Sequence, residues 1–491
     1  MKRLSQIISI LFLTAKLIAS DISTATVTIT AVGDVLLGYT SMDAKIKEHG
    51  VNYAFEKIAD ELRKADISIC NYESCISTAG SPIKRKQFTF RCSPKTIGAL
   101  KFAGLDVINI ANNHAGDYGK DALRDTLKYL ETEKMPYVGA VKRSPGRDKG
   151  VVLERNGIKV GFLGFSAVYP RKFWFGKGTP ALVPSWPEEE MAERIKDIKK
   201  RADIVVISFH WGDENEFYPR TSQIYLARLA VDSGADVVLG HHPHVMQGAE
   251  IYKGKVIIYS LGNFVFFPPK EIGKETILAG VILNGAGNVE QVRIEPVYIN
   301  DGQPGIATGD KGRELLEKYY LLCRSIGTDA EVNEKENTLT VKISTSAAQV
   351  VKYKLDIDND KLKVMDGERV ERSFKVYPGK DYPKKGKYNV LFFQGEWDRG
   401  YRFKRDAVEP VDKEFSPWFI RFSTDMPAVG INGLPNEVIV STSTARHGSI
   451  GMSQSDINEL RQYVDIGMAV KVERGKTEEG RRKQTIKSGS K

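Results

Sequence analysis

The sequence predicts an α/β domain followed by a smaller, mostly β domain, on three observations. The β-branched runs DIVVIS (203–208), ADVVLG (235–240) and KVIIYS (255–260) lead into the polar segments HWGDE, GHHPHV and SLGNF. A helical-period segment lies between the first two, giving the alternation of a parallel sheet. From about Glu331 the chain changes to short strands broken by Asp, Gly and Pro turns, as in NTLTVKIS (337–344), YNVLFF (388–393) and NEVIVSTST (436–444). Finally, 491 residues exceed an average domain of roughly 150. A hydrophobic content of 41% with 27% charged residues describes a folded chain rather than a disordered one.

Taken in order, residues 1–20 (MKRLSQIISILFLTAKLIAS) read as an export signal. Lys2 and Arg3 precede an apolar core, Ile7 to Leu13, that is too short to span a bilayer, and Ala19 and Ser20 offer a cleavage point. The expected location is periplasmic, cell-surface or secreted; an uncleaved anchor is the alternative, disfavoured by Lys16.

TVTITAVGDVLLG (26–38) is a strand ending at Gly33-Asp34, NYAFEKIADELRKA (52–65) an amphipathic helix, and DISICNYES (66–74) a strand ending at Asn71 and Glu73. If the two strands are neighbours, Asp34 and Glu73 meet, and two such carboxylates repel unless a cation lies between them. The loop 77–95 carries Lys84-Arg85-Lys86. That triplet is either a solvated face or a substrate-binding funnel for an anionic substrate. A helix (95–104) and the strand 106–112 lead to Asn112-Asn113-His114. The next helix opens near Asp117, which suits an N-cap as well as a catalytic role.

A hairpin (150–166) turns at Asn156-Gly157. An aromatic, Pro-rich stretch (168–187) has the composition of a lid or rim loop, and a helix (187–201) returns to the sheet. After Phe264, segments 275–285 and 288–300 alternate as antiparallel strands, and a helix (312–327) closes the first domain. The expected boundaries are 27–327, 331–470 and a basic tail, 471–491, with eight Lys or Arg against three Glu.

Four of the seven histidines (His210, His241, His242, His244) fall at predicted strand ends, and His114 makes a fifth. Ligands of open α/β sheets sit beyond such ends, and neutral imidazole is the commonest metal-binding side chain. A metal centre is therefore expected. His447, in a polar turn, reads as a surface histidine. Cys70, Cys75, Cys92 and Cys323 form no Cys-x-x-Cys pair. Cys70 reads as a buried apolar residue, and an oxidising compartment would allow Cys75 and Cys92 to pair. The net charge of +10 is mild for the length, and no P-loop, Gly-x-Ser-x-Gly elbow, repeat or nucleic-acid motif is present.

The motifs gain weight from their order: Gly33-Asp34, Asn71-x-Glu73, ANNHAGDYG (111–119), His210-Trp211-Gly212, GHHPH (240–244) and SLGNF (260–264). From about residue 27 to 327 this series resembles the CapA family of poly-γ-glutamate capsule-synthesis proteins, themselves similar to calcineurin-like metallophosphoesterases. The resemblance implies a metallophosphoesterase-like αββα sandwich with metal at the sheet edge. It implies Asp34, Glu73, Asn113, His210, His242 and His244 as metal ligands and His114 as a transition-state contact. The i, i+2 spacing of His242 and His244 favours them over His241 in an extended segment. His241, Asp213 and Asn263 are expected behind them as orienting groups. One or two divalent ions (Mn, Zn, Fe or Mg) are implied. The sequence departs from the metallophosphoesterase pattern Asp-x-His, having Asp34-Val35-Leu36, and Glu73 stands where a shorter Asp is usual.

The expected function is that of an exported, metal-dependent hydrolase-like protein acting on poly-γ-glutamate or a related anionic capsule polymer. Alternatives are a non-catalytic organiser within a capsule-synthesis membrane complex, or a general phosphoesterase or nucleotidase. No nucleic-acid partner is expected.

Overall fold

Thr26–Val35 is buried on both faces along most of its length, so its neighbours must cover it above, below and on each side. It pairs in parallel with Ile67–Tyr72, which pairs in parallel with Val107–Asn109. On its other side it runs antiparallel to Glu275–Asn284, followed by Val289–Asn300. A second sheet runs in the order Met246–Tyr252, Lys255–Leu261, Val237–His241, Ile204–His210, Ile158–Ser166, Val151–Arg155, with its four central strands parallel. The computed structural model describes residues 25–168, 176–343, 353–358 and 360–378. Beyond these it describes the segments 386–394, 402–404, 407–409, 419–422, 430–434, 449–460 and 469–473.

The two sheets face each other, Thr26–Val35 against Val237–His241 and Lys255–Leu261. Ile97–Ala103 and Gly119–Thr132 bury Leu100, Leu123, Leu127 and Leu130 against the first sheet. Glu188–Lys199 and Thr221–Asp232 cover the second. The expected helix–sheet–sheet–helix sandwich is present.

Several expectations need correction. Residues 52–65 do not form one helix but a 3-10 turn, Tyr53–Phe55, and a short helix, Ala59–Leu62. Packing overrides the helical period here: Tyr53, Phe55, Ile58 and Leu62 are all buried, and the Tyr53 hydroxyl donates to the Asp301 carbonyl at 3.0 Å. A helix the periodicity did not predict, Thr40–His49, buries only Met42 and ends at Gly50, whose φ is 98°. The domain boundary also moves. Ala330–Asn333 and Thr338–Val341 extend the first sheet beside Val289–Asn300, because an alternating strand reads alike whichever sheet it joins. All four cysteines are free and buried. Cys75 does not bridge to Cys92; its thiol meets the Phe90 carbonyl, and the Cys92 sulfur lies 2.6 Å from the Tyr72 hydroxyl.

The chain divides into two compact units, one running to Cys323 and including Thr328–Thr345, the other comprising Arg324–Gly327 and the chain from Ser346. The second unit is the expected mostly β domain, a nine-stranded sheet with the helix Gln454–Leu460. Ala469–Glu473 pairs with Lys354–Asp358, so Lys471 to Glu473 belong to this sheet and not to the tail. The export signal, residues 169–175 of the aromatic stretch, the segment 436–444, His447 and the tail from 474 lie outside the described residues.

Gly240 marks the tightest approach in the second sheet. A Cβ there would collide with the Tyr259 carbonyl and crowd the Trp211 indole nitrogen, which itself donates to that carbonyl at 2.9 Å. Gly240→Ala should cost about 1–3 kcal/mol through overpacking, read as a lower denaturation midpoint at unchanged slope.

Candidate metal centre

The parallel strands of both sheets end at one place, and their terminal residues line it. Gly33 has no Cβ to clash with the Gly262 carbonyl, so Asp34 N–H donates to that carbonyl at 2.9 Å. This close approach sets Asp34 beside Asn263 on one side and Asn71 on the other. Glu73 follows Ile67–Tyr72 directly, its N–H bonded to Val35 O. His210 and His241 end adjacent strands in register.

Asn112 builds the next turn. Its Oδ1 accepts the N–H groups of His114 and Ala115, and its Nδ2 donates to Tyr72 O at 2.8 Å. That turn presents Asn113 and His114. In the GHHPH loop, His242 and His244 have φ of 95° and 59°. The two imidazoles therefore converge through left-handed backbone, not through strand alternation as the spacing suggested. Asn215 N–H donates to Pro243 O at 2.7 Å and His242 N–H to Asp34 Oδ2 at 3.2 Å, which pins the loop.

All six residues predicted as ligands come together. Around Glu73 Oε1 lie His210 Nε2 at 3.5 Å and the Nε2 atoms of His114 and His244 at 3.9 Å each. Asn113 Oδ1 is 2.8 Å from His210 Nε2. Ligand atoms of Glu73, His242 and His244 lie within 4.8 Å of one another. Asp34 is 3.3 Å from His244 Nδ1 and 3.6 Å from His241 Nδ1. Among the described residues, both Glu73 oxygens, both His241 ring nitrogens and His242 Nδ1 are buried without a hydrogen-bond partner. Buried polar atoms are seldom left so. A carboxylate and several imidazole lone pairs aimed into one volume suit a divalent cation of the Mn, Zn or Fe type.

The electrostatics agree. Burial, then the neighbouring Asp34 charge, pushes Glu73 well above the usual carboxylate range. Burial would also raise Asp34, but the hydrogen bond and charge of His244, with His241, outweigh it and hold Asp34 low. Burial lowers His241 to about 4 and, with His244, lowers His242 to about 3. His210 falls well below its ordinary value for the same reason. These three imidazoles are neutral at pH 7 and able to bind metal. Burial opposes charge on His244, yet Glu73 and Asp34 raise it to about 10.

Three residues take roles other than those expected. Asp117 is no N-cap: the helix starts at Gly119, with Tyr118 before it. Its carboxylate instead holds His114 Nδ1 at 2.7 Å, accepts Phe90 N–H at 2.8 Å and pairs with Lys86. Lys86 is therefore turned inward, also donating to Asn113 O at 2.6 Å. Lys84 and Arg85 are exposed, as a funnel requires. Asp213 pairs with Arg220 and orients none of the histidines. Asn263 does orient one, with Oδ1 2.8 Å from His244 Nδ1. Asn71, quoted in the motif series but given no role, donates Nδ2 to Asp34 Oδ1 at 2.8 Å and lies 3.2 Å from His210 Nδ1. Its place two residues before Glu73 was the available signal. Phe90 covers His114 (ring centroids 4.5 Å apart) and Phe266 flanks His244 at 5.1 Å.

Residues 28–268 match the family described as "Bacterial capsule synthesis protein PGA_cap". The chain is 31% identical over 325 residues to "Capsule biosynthesis protein CapA" of Bacillus anthracis, spanning 65% of this chain and 78% of that one. It is 33% identical over 277 residues to "PGA biosynthesis protein CapA" of Bacillus subtilis (strain 168), spanning 56% and 72%. Among solved structures, a 5'-nucleotidase precursor from Thermus thermophilus aligns with a TM-score of 0.36 at 15% identity, over 62% of this chain and 61% of that one.

His241 and His242 predict a pH signature for metal-free protein. Their folded values of about 4 and about 3 lie below the unfolded value of about 6.5. At these two groups the unfolded chain therefore binds more protons between these limits, and the stability they contribute falls as pH drops below about 6.5. Denaturation midpoints of the chelator-treated protein should decline from pH 7 to pH 4.5, and His242→Asn should flatten that decline. A decline of equal steepness in the variant would contradict the assignment.

Proposed function

The chain belongs to the bacterial capsule synthesis family PGA_cap, and from that premise we propose that it is a metal-dependent hydrolase acting on poly-γ-glutamate or a related anionic capsule polymer. The observation that carries this reading is Glu73, a fully buried carboxylate with neither oxygen hydrogen-bonded, ringed by imidazoles. A divalent ion held by Glu73, Asn113, His210, His242 and His244 would supply Lewis-acid activation of water and of the attacked carbonyl or phosphoryl group.

The chain's own residues do the rest. His114, with Nδ1 tied to Asp117 and Nε2 turned toward Glu73, moves a proton from the attacking water to the leaving nitrogen or oxygen. Burial lowers its pKa, so it starts as the neutral acceptor. Phe90 shields it from solvent. Exposed Lys84 and Arg85 on the loop rooted by Lys86 raise the local concentration of a polyanion. Family membership supports a cell-envelope location, with residues 1–20 as the export signal. Among the described residues no helix is long and apolar enough to cross a membrane.

Incubating the protein with poly-γ-glutamate and Mn²⁺ tests the reading. Mean chain length should fall, and Glu73→Gln or chelator should abolish the fall. A polymer of unchanged length, alongside metal-dependent hydrolysis of a simple phosphodiester, would reassign the substrate. Unchanged polymer and phosphodiester together would end the hydrolase reading.

A further inference from the structure

Hydrogen bonding around His244 separates Asp34 from Glu73 in role. The Asn263 amide donates Nδ2 to His244 O at 3.2 Å and to Gly273 O at 2.9 Å, which turns its Oδ1 toward His244 Nδ1. Asp34 Oδ2, another acceptor, lies 3.3 Å from the same nitrogen. Two acceptors around one ring nitrogen place the proton there. The nitrogen that His244 would offer to a metal, on giving up its second proton, is then Nε2, toward Glu73.

Asp34 is meanwhile occupied. Its Oδ1 accepts from Asn71 Nδ2 at 2.8 Å, and its Oδ2 from His242 N–H at 3.2 Å and the His244 ring. The position two residues on, where the metallophosphoesterase pattern has a histidine, is Leu36, 1% exposed and apolar. Beside Asp34, His241 Nδ1 lies 3.6 Å away with no hydrogen-bond partner among the described residues. With both Asp34 oxygens already accepting hydrogen bonds, His241 and a shared Glu73 are the groups left unengaged there, fewer than the three protein ligands of a catalytic zinc site. The Glu73 side is different. Glu73 carries no hydrogen bond, and Asn113, His210, His242 and His244 stand around it.

We propose that the centre holds one divalent ion, on the Glu73 side, and that Asp34 is a positioning residue that aims His244 rather than a ligand of a second ion. This rests on the reading above that the pocket binds a divalent cation, and it adds stoichiometry and a division of labour between the two carboxylates.

The test loads the full chain with excess Mn²⁺, removes free ion, and measures bound Mn by elemental analysis and its coupling by electron paramagnetic resonance. One Mn per chain, with the spectrum of an isolated ion, is expected. Glu73→Gln should lose it. Asp34→Asn should keep the same stoichiometry with affinity weakened roughly 10–100-fold, as for groups that orient a ligand. Leu36→His should raise uptake above one and introduce a spin-coupled signal. Two coupled ions in the unaltered chain would overturn the single-ion proposal while leaving the metal-dependent reading intact. No bound Mn would overturn both. Because Leu36 is buried, its variant is scored only if circular dichroism shows it folded; Asp34→Asn decides the matter without it. Loss of all Mn in Asp34→Asn, with Mn retained in Glu73→Gln, would reverse the assigned roles.

Discussion

An ionised carboxylate buried away from water needs a counter-charge or a set of hydrogen-bond donors, and Glu73 has no hydrogen-bond partner among the described residues. The rest of the site is arranged around that deficit. Two sheets bring their parallel strand ends to one volume, and the residues ending those strands are the ones with lone pairs to offer. Asp34, by contrast, is well supplied with donors from Asn71 and His242. Two acidic residues in one pocket thus meet opposite local demands, and the difference follows from which amides surround each.

Much of this was legible in the sequence because strand, polar loop and helix follow one another with a clear period. The six residues that meet in the pocket each sit at the end of a β-branched run or in the loop after it, and that position alone brought them together once the strands lay side by side. The geometry within the loops was not legible. Extended spacing suggested that His242 and His244 share a strand face, whereas left-handed backbone at both is what aims them. Asp117 has the composition of a helix cap, but a different partner, His114, took its carboxylate. The 52–65 segment had helical periodicity that packing broke up, and residues 330–341 had an alternation compatible with either sheet.

Lys86 shows how a charge run can mislead. Three consecutive cations suggested a common outward face, yet the middle of the loop bends with Arg85 at φ 61°. Lys84 and Arg85 are exposed while Lys86 reaches Asn113 and Asp117. One cation of the run is structural and the other two face outward. The loop that would meet substrate is fastened to the residues that would transfer the proton.

Left-handed backbone at two neighbouring imidazole-bearing positions has a further consequence. Each such non-glycine residue costs of order 1 kcal/mol or more, and persists only where its surroundings over-determine it. Here the Asn215 and Asp34 contacts hold the loop against that tendency to relax. The conformational work of assembling the pocket is thereby done during folding, so a divalent ion, if the pocket takes one, would shed water into a preformed cage. Ion exchange should then be governed by dehydration rather than by loop rearrangement.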